Sequence, residues 1–216
     1  MIYKNIILLL FSSFFIASCN KSFDKEKYIN EILKKYDEPS LKIQQLEIDC
    51  NKQDSLYLLI FTKDQEARNN GLDYKPVDSL NLQKFVSAVE KCGFPHDKNF
   101  TDLRSYFGIF VVLQHNNPEW IAYYYEDFKK LVENNKLPLD FLGLLEDRFL
   151  LLNNKPQLYG TQIKDGQLYK VINPLELKER RESMRFGESI EDYLFRYGLD
   201  FNTEVKRIIA ENDKDN

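Results

Sequence analysis

The feature that most constrains the fold of this 216-residue chain is an apolar segment near its middle. Residues 107–113 read Phe-Gly-Ile-Phe-Val-Val-Leu, so neither a helix nor a strand built from them would have a polar face. A segment of this kind is stable only when other elements cover it on every side. The length of the surrounding stretch, Asp102 to His115, favours a helix, whereas the β-branched pair Val111-Val112 is also compatible with a strand.

Amphipathic segments on both sides of this stretch can supply that cover. Residues 28–36 and 80–92 each carry apolar side chains at helical spacing. Residues 56–61 fit a strand or a buried helix, and their Gln-, Glu- and Lys-rich flanks favour the helix. The predicted helices are residues 28–36, 56–61, 80–92, 102–115, a segment starting at Pro118, 138–152, a segment following Asn173, 189–197 and 203–210.

Asp165-Gly166 is a clear turn signal in the second half of the chain. This dipeptide is typical of a two-residue β-hairpin loop, which would set Ile163 opposite Leu168. We therefore predict a mainly α fold: a single helical domain over residues 28–210, with one β-hairpin inserted at about residues 156–172.

The N-terminus predicts export. Lys4 precedes an apolar run, residues 6–16, which is shorter than the roughly 20 residues of a membrane-spanning helix and fits a secretory signal. The following Ile16-Ala17-Ser18-Cys19 resembles a bacterial lipoprotein processing box. That resemblance implies cleavage after residues 1–18 and acylation of Cys19 on its thiol and its new amine. The alternative is an ordinary secretory signal with a chance cysteine.

A lipidated Cys19 would place the protein in the cell envelope, with the membrane as a partner. We predict a polar tether over residues 19–27 and a frayed tail over residues 211–216. Asn20 differs from the aspartate that commonly signals inner-membrane retention, which favours an outer membrane.

Composition excludes some functions. The formal net charge is −4 and no long basic cluster occurs, which argues against nucleic-acid binding. The sequence has neither a C-x-x-C nor an H-E-x-x-H motif, so we predict no metal site and no cofactor. Cys50 and Cys92 form either one disulfide or two buried thiols in an exported domain.

Asp147 is the first candidate site residue, because apolar side chains surround it on the helical wheel of residues 138–152. A buried carboxylate needs a partner or a raised pKa. Arg148 projects about 100° away on a helix, so the expected partner is Arg180 or Arg181. An ion pair that only pins the hairpin to the helices would explain the same pattern.

His115 and residues 157–162 complete the candidate site. Histidine is the side chain best suited to exchange a proton near neutral pH, although one at a helix end is commonly a cap or a buried polar residue. The stretch Gln157-Leu158-Tyr159-Gly160-Thr161-Gln162 offers amides, a phenol and a hydroxyl but no strong nucleophile. Strand alternation would put its residues 157, 159 and 161 on one face, and Gly160 would let a backbone or a ligand come close.

The order of these motifs resembles a bacterial family of unknown function that is marked by Asp-Arg followed by Q-x-Y-G-T-Q. The motifs are Asp64-Gln65-x-x-Arg68, Gly93-Phe94-Pro95, Gln114-His115, Asp147-Arg148, Gln157-x-Tyr159-Gly160-Thr161-Gln162 and Arg180-Arg181. The resemblance spans about residues 60–195. It departs from the family pattern at Asn116-Asn117, where an acidic residue often follows the histidine. The resemblance implies one constellation: His115, Asp147, Arg148, Gln157, Tyr159, Thr161, Gln162 and Arg181.

Three functions fit that constellation. In the first, the domain binds a small polar or anionic ligand, or a partner protein, with arginine giving bidentate contacts. In the second, it is a hydrolase or transferase in which His115 is the general base, Asp147 orients it, and Arg148 or Arg181 stabilises developing negative charge. In the third, the motif is a purely structural polar network.

Overall fold

Nine α-helices and one short β-hairpin form the part of the chain described by a computed structural model, residues 23–37, 39 and 43–212. This architecture confirms the mainly α fold with an inserted hairpin. The predicted signal peptide, Cys19, Asn20 and residues 213–216 lie outside the described residues. The helices are α1 (Lys25–Leu33), α2 (Gln53–Asn69), α3 (Lys75–Cys92), α4 (Leu103–His115), α5 (Pro118–Glu133), α6 (Asp140–Leu152), α7 (Leu177–Ser183), α8 (Ile190–Phe195) and α9 (Phe201–Asn212), and the strands are β1 (Ile163–Lys164) and β2 (Gln167–Leu168).

Helix α4 contains the apolar segment and lies in the main core. Ile109 and Leu113 are fully buried. A Cβ atom added at Gly108 would lie 2.1 Å from the carbonyl oxygen of Tyr57, so α4 and α2 pack backbone against backbone at this point. Glycine is required there because any side chain would force the two helices apart. The ambiguity between helix and strand is thus resolved as a helix.

The first helix begins earlier than the sequence pattern suggested. Helix α1 starts at Lys25, inside the stretch that we assigned to the tether, and the Asp24 side chain caps it by accepting the Lys27 N–H at 3.0 Å. Among the described residues, none of the helices combines the length and the apolar character needed to cross a membrane.

Cys50 and Cys92 form a disulfide, which decides between the two alternatives left open by the sequence. The bond joins a short 3₁₀-helix before α2 (Cys50–Lys52) to the last residue of α3, across a sequence separation of 42. It therefore fixes the two helices that pack beside α4.

The hairpin has the predicted register but is shorter than predicted. Ile163 lies opposite Leu168, and the Tyr169 N–H donates to the Gln162 carbonyl at 3.1 Å. Each strand has only two residues, and Gln157 contributes one isolated parallel bridge to Val171. The alternation predicted for residues 157–162 does not apply, because these residues form no strand beyond the bridge at Gln157, and all six are buried.

A second, smaller apolar cluster packs the hairpin against the last three helices. Its fully buried members are Leu168, Val171, Leu177, Ile190, Leu194 and Ile208. Residues 157–162 connect this cluster to the main helical core, so the polar contacts of that loop determine how the two parts are held together.

Loss of the disulfide should lower stability strongly. In the chain-entropy account, a cross-link closing a loop of this length stabilises the folded state by about 4 kcal/mol. We expect the double variant Cys50→Ala/Cys92→Ala to melt roughly 10 °C below the wild type. Calorimetry with and without reductant checks this: the wild type should respond to reductant and the double variant should not. Equal melting temperatures would contradict the structural role of the bond.

Candidate functional site

Asp147 lies on α6 with no exposed surface, and four donors converge on its carboxylate. The N–H groups of Leu158, Tyr159 and Thr161 donate at 2.7, 3.0 and 2.9 Å, and the Thr161 hydroxyl donates at 3.0 Å. Burial raises the pKa of Asp147 to about 6, whereas these hydrogen bonds act in the opposite direction. The carboxylate is therefore fully occupied in holding one loop.

Two arginines hold the same loop from its carbonyl side. Arg180 Nε donates to the Leu158 carbonyl at 2.9 Å, and Arg181 Nη1 donates to the Tyr159 carbonyl at 2.9 Å. The predicted direct pairing of Asp147 with Arg180 or Arg181 is wrong, because neither donates a hydrogen bond to that carboxylate among the described contacts. The peptide units of the loop therefore lie between the Asp147 carboxylate and the two guanidinium groups, and both charges polarise them.

The two glutamines of the loop close it internally. Gln157 Nε2 donates to the carbonyls of Gln162 and Tyr169 at 3.0 and 2.9 Å, and Gln157 Oε1 accepts the Gln162 N–H at 2.8 Å. Gln162 Nε2 donates to the Thr161 hydroxyl at 3.1 Å. These amides are thus committed to the loop itself rather than to a ligand.

Gly160 has a structural role in the loop. Its φ of +68° lies in the left-handed region, where a side chain is strained. A Cβ atom there would also lie 3.2 Å from side-chain carbons of Leu177 and Ile190. The close approach that we predicted at Gly160 is therefore made by apolar side chains of the second cluster.

Tyr159 leads to a second buried acid that sequence reasoning missed. Its hydroxyl donates to Glu146 Oε2 at 3.0 Å, and Tyr125 donates to the other oxygen at 2.7 Å. Lys25 completes the set with an ion pair at 3.2 Å. The available signal was the position of Glu146 beside Asp147 on a helix without a solvent face.

His115 belongs to a different site, and its carboxylate partner is Asp64 on α2. His115 Nδ1 lies 2.7 Å from Asp64 Oδ1. The hypothesis that Asp147 orients His115 is therefore corrected, because the hydrogen bonds described for Asp147 all come from the loop. Arg148 is the other predicted residue that lies here, with its Nε donating to the Gln114 carbonyl at 3.0 Å.

The structure thus divides the predicted constellation in two. One group, which we name the loop lock, contains Asp147, Gln157, Tyr159, Thr161, Gln162 and Arg181. The other, which we name the α4 cleft, contains His115 and Arg148.

Arg68 contacts both acids beside the α4 cleft, Asp64 and Asp78. Its Nη2 lies 2.9 and 3.1 Å from the two oxygens of Asp78, and its Nε lies 3.2 Å from Asp64 Oδ1. Burial alone would raise the pKa of Asp64, but the hydrogen bond from His115 and the charges of His115 and Arg68 bring it below its ordinary value. His115 Nδ1 lies 2.7 Å from Asp64 Oδ1 and 3.2 Å from Arg68 Nε, so Asp64 and Arg68 together orient the imidazole ring.

Asp64 and Arg68 stand four residues apart on one helix, the spacing at which side chains on a helix meet. In the sequence this pair is part of the family resemblance but not of the predicted constellation. Asp78 was missed as well, since nothing in its local sequence links it to residue 68.

Asp64, Asp78 and His115 could also present ligand atoms to a metal, since one atom of each lies within 4.8 Å of the others. The Arg68 guanidinium, however, already contacts both carboxylates as a cation. A metal ion would have to displace it, and we assign no metal to this group.

The α4 cleft has a volume of about 460 Å³. It is lined by Arg68, Tyr74, Asp78, Gln114, His115, Asn116, Asn117, Arg148 and Leu152. Within the described chain, neither terminal nitrogen of Arg148 has a hydrogen-bond partner, and no acid pairs with it. The Gln114 Oε1 atom is buried without a donor. Burial and the charge of Arg68 lower the pKa of Arg148.

The loop lock should be a stability element. Asp147→Asn would replace an acceptor by an amide that cannot accept all four donors, and we expect a loss of about 3 kcal/mol in the free energy of unfolding. The matched control is Asp165→Asn in the exposed hairpin turn, where φ is +52° and asparagine is well tolerated. Urea unfolding measures both variants, and equal stability of the two would contradict the role of Asp147.

Comparison with protein-family models, with curated proteins and with solved structures finds no match to this chain. The resemblance to a family marked by Asp-Arg and Q-x-Y-G-T-Q therefore stays a prediction, and the function has to be argued from the geometry of the α4 cleft.

Proposed function

We propose that this protein is an exported, lipid-anchored domain that binds a small oxyanion, a carboxylate or a phosphate, in the α4 cleft. The single observation that carries this proposal is Arg148. Arg148 is half-buried, lines the cleft, and has no acidic partner in the described residues. A partly desolvated arginine without a counter-charge is unfavourable unless an anion completes it.

The geometry of Arg148 suits such a ligand. The bond from Nε to the Gln114 carbonyl fixes the guanidinium plane, while the two terminal nitrogens remain available. A planar fork held in this way can donate two parallel hydrogen bonds to a carboxylate or a phosphate. The neighbouring acids Asp64 and Asp78 do not serve as the counter-charge of Arg148, because they are already paired with Arg68 and His115.

The remaining lining predicts a donor on the ligand beside its anionic group. Gln114 Oε1 is buried without a donor, so a ligand hydroxyl or N–H would satisfy it if the amide turned toward the cleft. Tyr74 is 49% exposed and Leu152 is 39% exposed. Their side chains form an apolar rim of the cleft. A hydroxy acid, an amino acid or a monoester of phosphoric acid combines these features.

The disulfide between Cys50 and Cys92 supports the export half of the proposal. Such bonds persist in oxidising compartments outside the cytosol. We propose acylation at Cys19 and a location in the cell envelope, favouring the outer membrane. The membrane would then be one partner and the small ligand another, with no role for nucleic acid.

Inorganic phosphate at pH 6 is a suitable first probe, because its monoanion carries both acceptor oxygens and hydroxyl donors. We expect saturating phosphate to raise the melting temperature of the wild type, by an amount equivalent to about 2.7 kcal/mol at one hundred times the dissociation constant. Arg148→Gln should abolish the shift. Acetate in a parallel titration tests the carboxylate alternative.

Two control variants sharpen this experiment. Arg104→Gln removes an exposed arginine that is paired with Asp102 outside the cleft, and it should leave the phosphate shift intact. Arg148→Lys keeps the charge but loses the fork, so its shift should be smaller than that of the wild type. A shift of equal size in Arg148→Gln and the wild type, with either anion, would refute this site.

Acid–base catalysis in the same cleft is a second candidate, favoured by the distance of 2.7 Å between Asp64 and His115. Asp64 would hold the Nδ1–H tautomer, and the free lone pair on His115 Nε2 would act as the general base. Arg148 would stabilise negative charge that develops on the substrate. In this form the hydrolase or transferase hypothesis keeps His115 and replaces Asp147 by Asp64.

Turnover of p-nitrophenyl phosphate and p-nitrophenyl acetate tests this second candidate. We expect His115→Gln to abolish turnover and Asp64→Asn to reduce it roughly 100-fold. His96→Gln is the matched control, because His96 pairs with Asp127 at 2.8 Å away from the α4 cleft. Wild-type rates that do not differ from those of His115→Gln would reject catalysis on these substrates.

A further inference from the structure

We infer that the surface carrying Phe23 and Leu175 faces the lipid bilayer and inserts its apolar side chains at the boundary between headgroups and acyl chains. This inference rests on the proposed acylation of Cys19. It adds an orientation and an interaction surface that the lipid anchor alone does not specify.

The chain is fixed to the domain soon after the proposed anchor at Cys19. The Phe23 ring lies 5.3 Å from the ring of Tyr28, and the Tyr28 hydroxyl donates to the Pro156 carbonyl at 3.1 Å. Lys25 is held by its ion pair with the buried Glu146. Phe23, Lys25 and Tyr28 therefore belong to the folded domain.

The chain between Cys19 and Phe23 has a short reach. Four residue steps separate Cys19 from Phe23, and even a fully extended chain of that length spans only about 14 Å. Acyl chains on Cys19 lie in the membrane. Whatever path these residues take, Phe23 must stay within this distance of the anchored cysteine, so the surface around it lies against the bilayer.

The surface around Phe23 is partly apolar. Phe23 and Lys25 line a cleft of about 850 Å³, together with Leu175 and Ile209. Leu175 is 80% exposed on the short 3₁₀-helix Pro174–Glu176. A leucine at that level of exposure on the rim of a partly apolar cleft is well placed to enter the interfacial region.

The charges around the cleft indicate insertion rather than electrostatic attraction. Lys25 and Arg180 are balanced by Glu176 and Glu179 in the same lining. Arg180 is also paired with Glu176 at 3.3 Å. We therefore expect this surface to engage neutral lipids, with little dependence on anionic lipid or on salt.

The test uses the full lipidated chain, reconstituted in phosphatidylcholine vesicles. Leu175→Cys is labelled with an environment-sensitive fluorophore, which cannot react with an acylated Cys19 or with the Cys50–Cys92 disulfide. Leu72→Cys, at a position that is 58% exposed in the turn between α2 and α3, is the matched control. Lipids brominated near the headgroup boundary then serve as quenchers, and vesicle flotation is measured in parallel.

We expect the label at position 175 to be quenched roughly threefold more strongly than the label at position 72, as insertion of 5–10 Å requires. Replacing a third of the phosphatidylcholine by phosphatidylserine should leave this ratio unchanged. Flotation without preferential quenching at position 175 would overturn the orientation and leave the lipid anchor standing. The variant Cys19→Ser should not float with vesicles. If the wild-type protein also fails to float, both the orientation and the lipid anchor are overturned.

Discussion

The fold depends on the buried carboxylate of Asp147. Main-chain N–H groups of a loop that follows it by 11 to 14 residues converge on this acid. Without them the loop would bury unpaired donors, and without the loop the carboxylate would be an isolated buried charge. Neither arrangement is stable alone. Because residues 157–162 connect the main helical core to the smaller cluster around Leu177 and Ile190, this mutual dependence joins the two apolar bodies.

Three consecutive residues of α6 serve three different parts of the molecule. Glu146 accepts from Lys25, Tyr125 and Tyr159, and so ties the N-terminal helix to the core. Asp147 holds the loop, and Arg148 reaches the α4 cleft. Successive side chains on a helix are turned by about 100°, which makes this division possible on a single turn. Helix α6 is therefore the common support of helix α1, the loop lock and the proposed ligand site.

The predictable parts of this protein are those with short-range signals. The apolar stretch in α4 and the Asp165-Gly166 turn gave the helix and the hairpin register because periodicity and turn chemistry are local. The partners of the polar residues were not predictable in the same way. His115 finds Asp64 at a separation of 51 residues, and no spacing rule links them. We expected an arginine to pair with Asp147, but its partners are mainly backbone N–H groups. Nearly every residue carries such a donor, so the sequence does not mark which ones an acid will bind.

The separation of the loop lock from the α4 cleft decides how the motif can be interpreted. The Q-x-Y-G-T-Q stretch is chemically rich, yet its amides, its threonine hydroxyl and its phenol all have partners inside the fold. A group already paired in a buried site gains little from a ligand that would have to displace its partner. Arg148 is the reverse case, since its terminal nitrogens line a cleft without a partner in the described chain. Arg148, rather than Asp147, is therefore the better guide to a ligand site in this protein. A polar group without a partner at an open surface can form hydrogen bonds with a ligand at no loss of an existing bond.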